Sequence, residues 1–81
     1  MKERSKNVIF IVYDKGLGLP LEAGSSGVLF NMCDFRDGDV RVSGFRTKKA
    51  AERAIDKTME YAKEVNYGWK REDYKIWKVT Q

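Results

Sequence analysis

The stretch Gly44-Phe45-Arg46-Thr47-Lys48-Lys49-Ala50-Ala51-Glu52-Arg53-Ala54 decides the fold of this 81-residue chain. A strand-like run ends at Phe45. Thr47 then stands where a helix N-cap belongs, because its hydroxyl can accept a hydrogen bond from an orphan amide of the first turn. From there Ala50, Ala51, Ala54, Ile55, Thr58, Tyr61, Ala62 and Val65 recur at helical spacing and share one face, while charged residues share the other. The pattern predicts a helix from Lys48 to about Asn66, with Gly68 as its stop. Small residues along the middle of the apolar face let the helix axis sit close to a sheet. Lys49–Glu52, Arg53–Asp56 and Lys57–Glu60 are opposite charges at i,i+3, each worth a few tenths of a kcal/mol.

Working outward, Asn7–Tyr13 is β-branched and aromatic, and apolar on both alternating faces, which suits an interior strand. Asp14–Gly27 holds four of the seven glycines and the only proline, and reads as a long loop. Val28–Phe35 and Val40–Phe45 read as two further strands joined at Asp37-Gly38, a dipeptide that tolerates the positive φ of a tight hairpin. Tyr74–Thr80 reads as a last strand. The expected fold is α+β with element order β-β-β-α-β: a four-stranded, mostly antiparallel sheet of spatial order 4-1-2-3 with one long helix on one face. In that arrangement the last strand returns parallel to the first through a right-handed crossover. No linker or repeat divides residues 1–81, so one domain is expected.

Composition narrows the function. The chain carries 42% hydrophobic and 35% charged residues, the balance of a globular domain. No apolar run reaches the roughly 18 residues of a membrane span, and the charged Met1–Lys6 segment does not open a secretory signal. A cytoplasmic location is the simplest expectation. Cys33 is the single cysteine, expected as a buried, unreactive thiol in mid-strand. There is no histidine, which removes the commonest general base and the commonest zinc ligand. An enzyme is therefore not expected, and no cofactor or metal is called for. Asp34, Asp37 and Asp39 surround one turn, but the calcium-loop spacing and its terminal Glu are absent, and turn chemistry accounts for Asp37 and Asp39.

The positive charge is localised. Between Asp39 and Glu52 there is no acidic residue, while Arg41, Arg46, Lys48 and Lys49 all fall there, equal to the whole formal net charge of +4. Lysines in a first helical turn oppose the helix dipole, so their presence there points to a role other than helix stability. With Arg53 one turn further on, the window is the expected phosphate-contacting surface at the helix start, the alternative being a solvated charged face.

Thr47-Lys48-Lys49-Ala50-Ala51-Glu52, followed by Ala54, resembles the start of the second helix of a double-stranded-RNA-binding domain, and the preceding hairpin resembles that family's sheet. The resemblance covers Val28 to Tyr61. It implies that Lys48 and Lys49 contact phosphates across a groove. The family's third basic position is Glu52 here, with Arg53 beside it. Its glycine before the cap is Phe45 here, with Gly44 one place earlier. The family's first helix has no counterpart, and a C-terminal strand is added.

The expected function is thus a small, non-catalytic nucleic-acid-binding module, RNA before DNA, using Arg41, Arg46, Lys48, Lys49 and Arg53. An aromatic and basic stretch, Tyr67 to Lys78, adds residues suited to stacking on bases, although its aromatics also serve as core. The alternative is a protein-interaction module, such as an inhibitor or viral accessory factor, that binds through Leu17, Leu19 and Leu21 or an open sheet edge. The same leucine loop could instead cover the face of the sheet opposite the helix.

Overall fold

The computed structural model describes residues 8–80. Asn7, expected to open the first strand, lies outside the described residues. Strands are β1 (Val8–Asp14), β2 (Leu19–Pro20), β3 (Glu22–Ala23), β4 (Leu29–Phe30) and β5 (Tyr74–Thr80), and one α-helix, α1, spans Lys48–Glu64. Single 3-10 turns lie at Met32–Asp34 and Arg71–Asp73. The class is α+β, with antiparallel pairing throughout.

Helix α1 forms as its periodicity predicts. The Thr47 hydroxyl accepts from the Ala50 N–H at 3.0 Å. Ala51, Ala54, Ile55, Thr58 and Ala62 are buried. Of these, Ala51, Ala54 and Ile55 form one cluster with Val12, Leu21, Ala23 and Leu29, with Phe10, Phe45, Met59, Tyr74 and Ile76 packed against it. Each large aliphatic buried there contributes about 2 kcal/mol. The helix ends at Glu64 with Val65 as its C-cap, and the residue that stops it is Asn66, not Gly68. Asn66 adopts φ 62°, and the Tyr67 N–H donates to the Ala62 carbonyl at 2.8 Å, which is a Schellman cap. Asparagine tolerates the left-handed region well enough to stand where glycine is commonest. The expected i,i+3 ion pairs are not formed; among the described residues the pairs are Arg41–Glu22 and Arg71–Asp56.

The sheet departs from the expected order. One three-stranded sheet runs β2-β1-β5, and a separate two-stranded ribbon pairs β3 with β4. The last strand neighbours the first as expected but runs antiparallel to it, with Val12 opposite Ile76. The parallel return depended on residues 40–45 running with β1. Instead Phe45 pairs antiparallel with Phe10, so the chain enters α1 against β1 and leaves it in the opposite sense to that expected.

The expected 28–35 and 40–45 strands do not pair with each other. Residues 29–30 pair with 22–23, and Val42 bridges Ala23 from the other side. The Asp37-Gly38 turn is present, with Gly38 at φ 91° and the Asp39 N–H donating to the Arg36 carbonyl at 3.1 Å. Its arms diverge to other partners. The expected long loop contains a hairpin of its own: the Asp14 carboxylate accepts from the Gly16 and Leu17 amides, and the Gly18 N–H donates to the Asp14 carbonyl. Leu21 continues the pairing, its N–H donating to the Val12 carbonyl at 2.8 Å.

Cys33 lies in the 3-10 turn after β4 and is exposed, contrary to the buried mid-strand position expected for it. The strand ends at Phe30 because the Asn31 side chain accepts from the Cys33 N–H at 2.9 Å and turns the backbone.

Candidate functional site

The helix start carries the expected cations. Arg46, Lys48, Lys49 and Arg53 are all exposed, and none is in an ion pair among the described residues. The first turn of α1 holds no carboxylate. Thr47 satisfies the Ala50 amide with its hydroxyl and the Ala51 amide with its carbonyl, leaving the earlier amides of the turn directed out beside the lysines. Arg41 sits apart in its chemistry. Its guanidinium is held by Glu22, with Nε donating at 2.8 Å, and it lies over the Phe35 ring at 5.2 Å. The charge of Arg41 is thus largely answered within the protein, whereas the other four cations are exposed and have no ion-pair partner among the described residues.

The leucine segment is divided. Leu21 belongs to the core, while Leu17 and Leu19, at the tip and flank of the β1–β2 hairpin, are 56% and 46% exposed. The hairpin does not lie over the second face of the sheet. That face is lined by Ile9, Ile11, Tyr13, Trp77 and Val79, which share a side by register, opposite the Val12–Ile76 side that meets α1. Trp77 stacks on Tyr13 there, with centroids 4.7 Å apart and planes 13° from parallel. Along its outer edge β5 has no strand partner among the described residues.

Phe30, Tyr61, Tyr67 and Trp69 converge at the other end of the helix. The Schellman cap folds Tyr67 back against Tyr61, with ring centroids 6.4 Å apart. Trp69 packs on Tyr67 at 5.0 Å and on Tyr61 at 6.2 Å. Phe30 meets Tyr61 edge-on at 5.8 Å. These rings and Asp34 line an open groove of about 390 Å³. A smaller hollow of about 140 Å³ adjoins it and shares Phe30, Asp34 and Trp69, adding Asp14 and Asp73. Burial, then the Asp14 and Asp73 carboxylates, push the Tyr74 hydroxyl up to about 12.

Sequence reasoning identified the aromatic residues but not this groove. The available signal was Asn66: a left-handed cap there returns the chain onto the last helical turn and brings Tyr67 to Tyr61. Of the three turn aspartates, Asp39 accepts from the Arg36 N–H at 2.7 Å, and Asp34 joins the groove. No helix among the described residues is long and apolar enough to cross a membrane. The chain matches no protein-family model, no curated protein and no solved structure.

Proposed function

We propose that this protein is a small, non-catalytic nucleic-acid-binding module whose contact surface is the start of α1. The observation that carries the reading is the set of four exposed cations, Arg46, Lys48, Lys49 and Arg53, with no ion-pair partner among the described residues, beside a first helical turn free of carboxylates. Phosphate oxygens suit this surface twice over, through the side-chain charges and through the positive end of the helix. Arg41, already answered by Glu22, contributes at the margin. The resemblance of Thr47–Ala54 to a double-stranded-RNA-binding helix start is the reason for ranking RNA ahead of DNA.

Titration of a labelled RNA duplex and a DNA duplex of the same sequence tests the proposal. Binding is expected for the unaltered protein, and its loss for Lys48→Glu, Lys49→Glu with helical circular dichroism retained. Undiminished binding by the folded double variant would defeat the assignment.

A second reading draws on the exposure of Leu17 and Leu19 and on the outer edge of β5, which has no strand partner among the described residues. Apolar side chains at a hairpin tip, and an open strand edge, suit a protein partner. Under this reading Leu17→Ser, Leu19→Ser removes the protein's activity and the lysine changes do not.

A further inference from the structure

We propose that the aromatic groove at the C-terminal end of α1 binds a soft organic cation, an alkylated ammonium head group. Four rings and one carboxylate define it: Phe30, Tyr61, Tyr67, Trp69 and Asp34. The negative π-faces of Trp and Tyr attract a cation brought within about 6 Å of the ring centre. Tyr67 and Trp69 remain 53% and 38% exposed, so part of each side chain is open to a ligand.

Charge selects the occupant. Among the described residues no lysine or arginine lines the groove or the adjoining hollow. The charged side chains present are Asp34 in both and Asp14 and Asp73 in the hollow, all carboxylates. Nucleobases also stack on such rings, but their phosphates would meet these carboxylates, so this end of the molecule is unsuited to the ligand proposed for the helix start. The polar inventory narrows the cation further. A primary ammonium carries three N–H donors and a guanidinium five, each needing an acceptor once desolvated. The groove offers one carboxylate and two phenol oxygens among otherwise apolar ring surface. A quaternary ammonium has no donor to satisfy. Its alkyl stem can lie along Leu17 and Leu21, which line the hollow next to Trp69.

The groove is built by the fold. The left-handed Asn66 returns the chain, Tyr67 closes on Tyr61, and the 3-10 turn after β4 brings Asp34 across from them.

The test uses choline, its neutral isostere 3,3-dimethylbutan-1-ol, n-butylamine and adenosine monophosphate as probes on the intact chain. Side-chain NMR signals of Tyr61, Tyr67 and Trp69 follow occupancy in the unaltered protein. Trp69 fluorescence in a Trp77→Phe background gives the affinity, since those are the two tryptophans. Choline is expected to saturate at millimolar concentration, with the isostere roughly 2- to 30-fold weaker, the range that a cation–π contribution supplies. Tyr67→Ala and Asp34→Asn should each weaken choline several-fold while helical circular dichroism is unchanged. Four results would overturn the proposal: equal affinity for choline and its isostere, tighter binding of n-butylamine or adenosine monophosphate than choline, no saturation, or unaltered affinity in both folded variants.

Discussion

The Thr58 hydroxyl ties the helix to the sheet: it donates to the Ala54 carbonyl at 2.7 Å and accepts from the Leu29 N–H at 2.9 Å. Thr58 is fully buried, so both bonds lie out of water. The polar residue on an otherwise apolar helix face fixes where β4 docks.

Replacing that hydroxyl with a methyl group strands a buried amide. Thr58→Val should lower stability by about 1–3 kcal/mol, the usual penalty for a buried donor left without an acceptor. For a domain of this size each kcal/mol corresponds to roughly 4–8 °C in Tm. Thr58→Ser keeps the hydroxyl and loses one methyl, at about 0.8 kcal/mol. Thermal melts of the two variants check the order; a more stable valine variant would mean that this bond contributes nothing net.

Asn66 holds φ 62° at the helix end. Asn66→Ala should destabilise the fold by about 1–2 kcal/mol, because a Cβ with no hydrogen-bonding group is disfavoured in the left-handed region. Asn66→Gly should be neutral or slightly stabilising. Urea midpoints compared at constant m-value measure both changes.

The helix was legible because its signals are local. Thr47, the small residues at helical spacing and the charged opposite face all act within one turn of each other. The sheet was less so. Leu19, Leu21 and Ala23 alternate with period two, but Gly18 and Pro20 among them read as loop, so a hairpin went uncounted. Val28–Phe35 is strand-like in composition, yet the Asn31 side chain turns the chain after Phe30. Pairings across the chain, such as Phe10 with Phe45, leave no local mark. The same division holds for the sites. The cations of the helix start can be read directly from Arg46 to Arg53, whereas the aromatic groove needs Phe30, Asp34 and Tyr61 brought together from distant segments.

Cys33 supplies a direct check on the turn after β4. Its exposure predicts that an aromatic disulfide reagent labels it in the native protein at close to the rate seen after unfolding, without prior opening of the fold. Protection by several orders of magnitude would instead place it in the core.

Tyr74 makes stability fall in alkali. Its hydroxyl titrates near 12 in the folded protein, against 10.0 for an ordinary tyrosine. Above the lower value the unfolded chain releases this proton while the folded chain keeps it, so the contribution is complete below pH 10.0 and is lost as pH rises to about 12. Urea midpoints at pH 9 and pH 11 should therefore differ more for the unaltered protein than for Tyr74→Phe. Equal differences would show that Tyr74 ionises normally.

The most direct test of phosphate binding at the helix start is the slope of log K against log salt for duplex binding. Each phosphate neutralised on a B-form duplex contributes about −0.9 to that slope. Engagement of Arg46, Lys48, Lys49 and Arg53 predicts a slope of roughly −3 to −4, reduced by about two when Lys48 and Lys49 are both changed to Gln. A slope near zero, or one that the double change leaves untouched, would contradict the account.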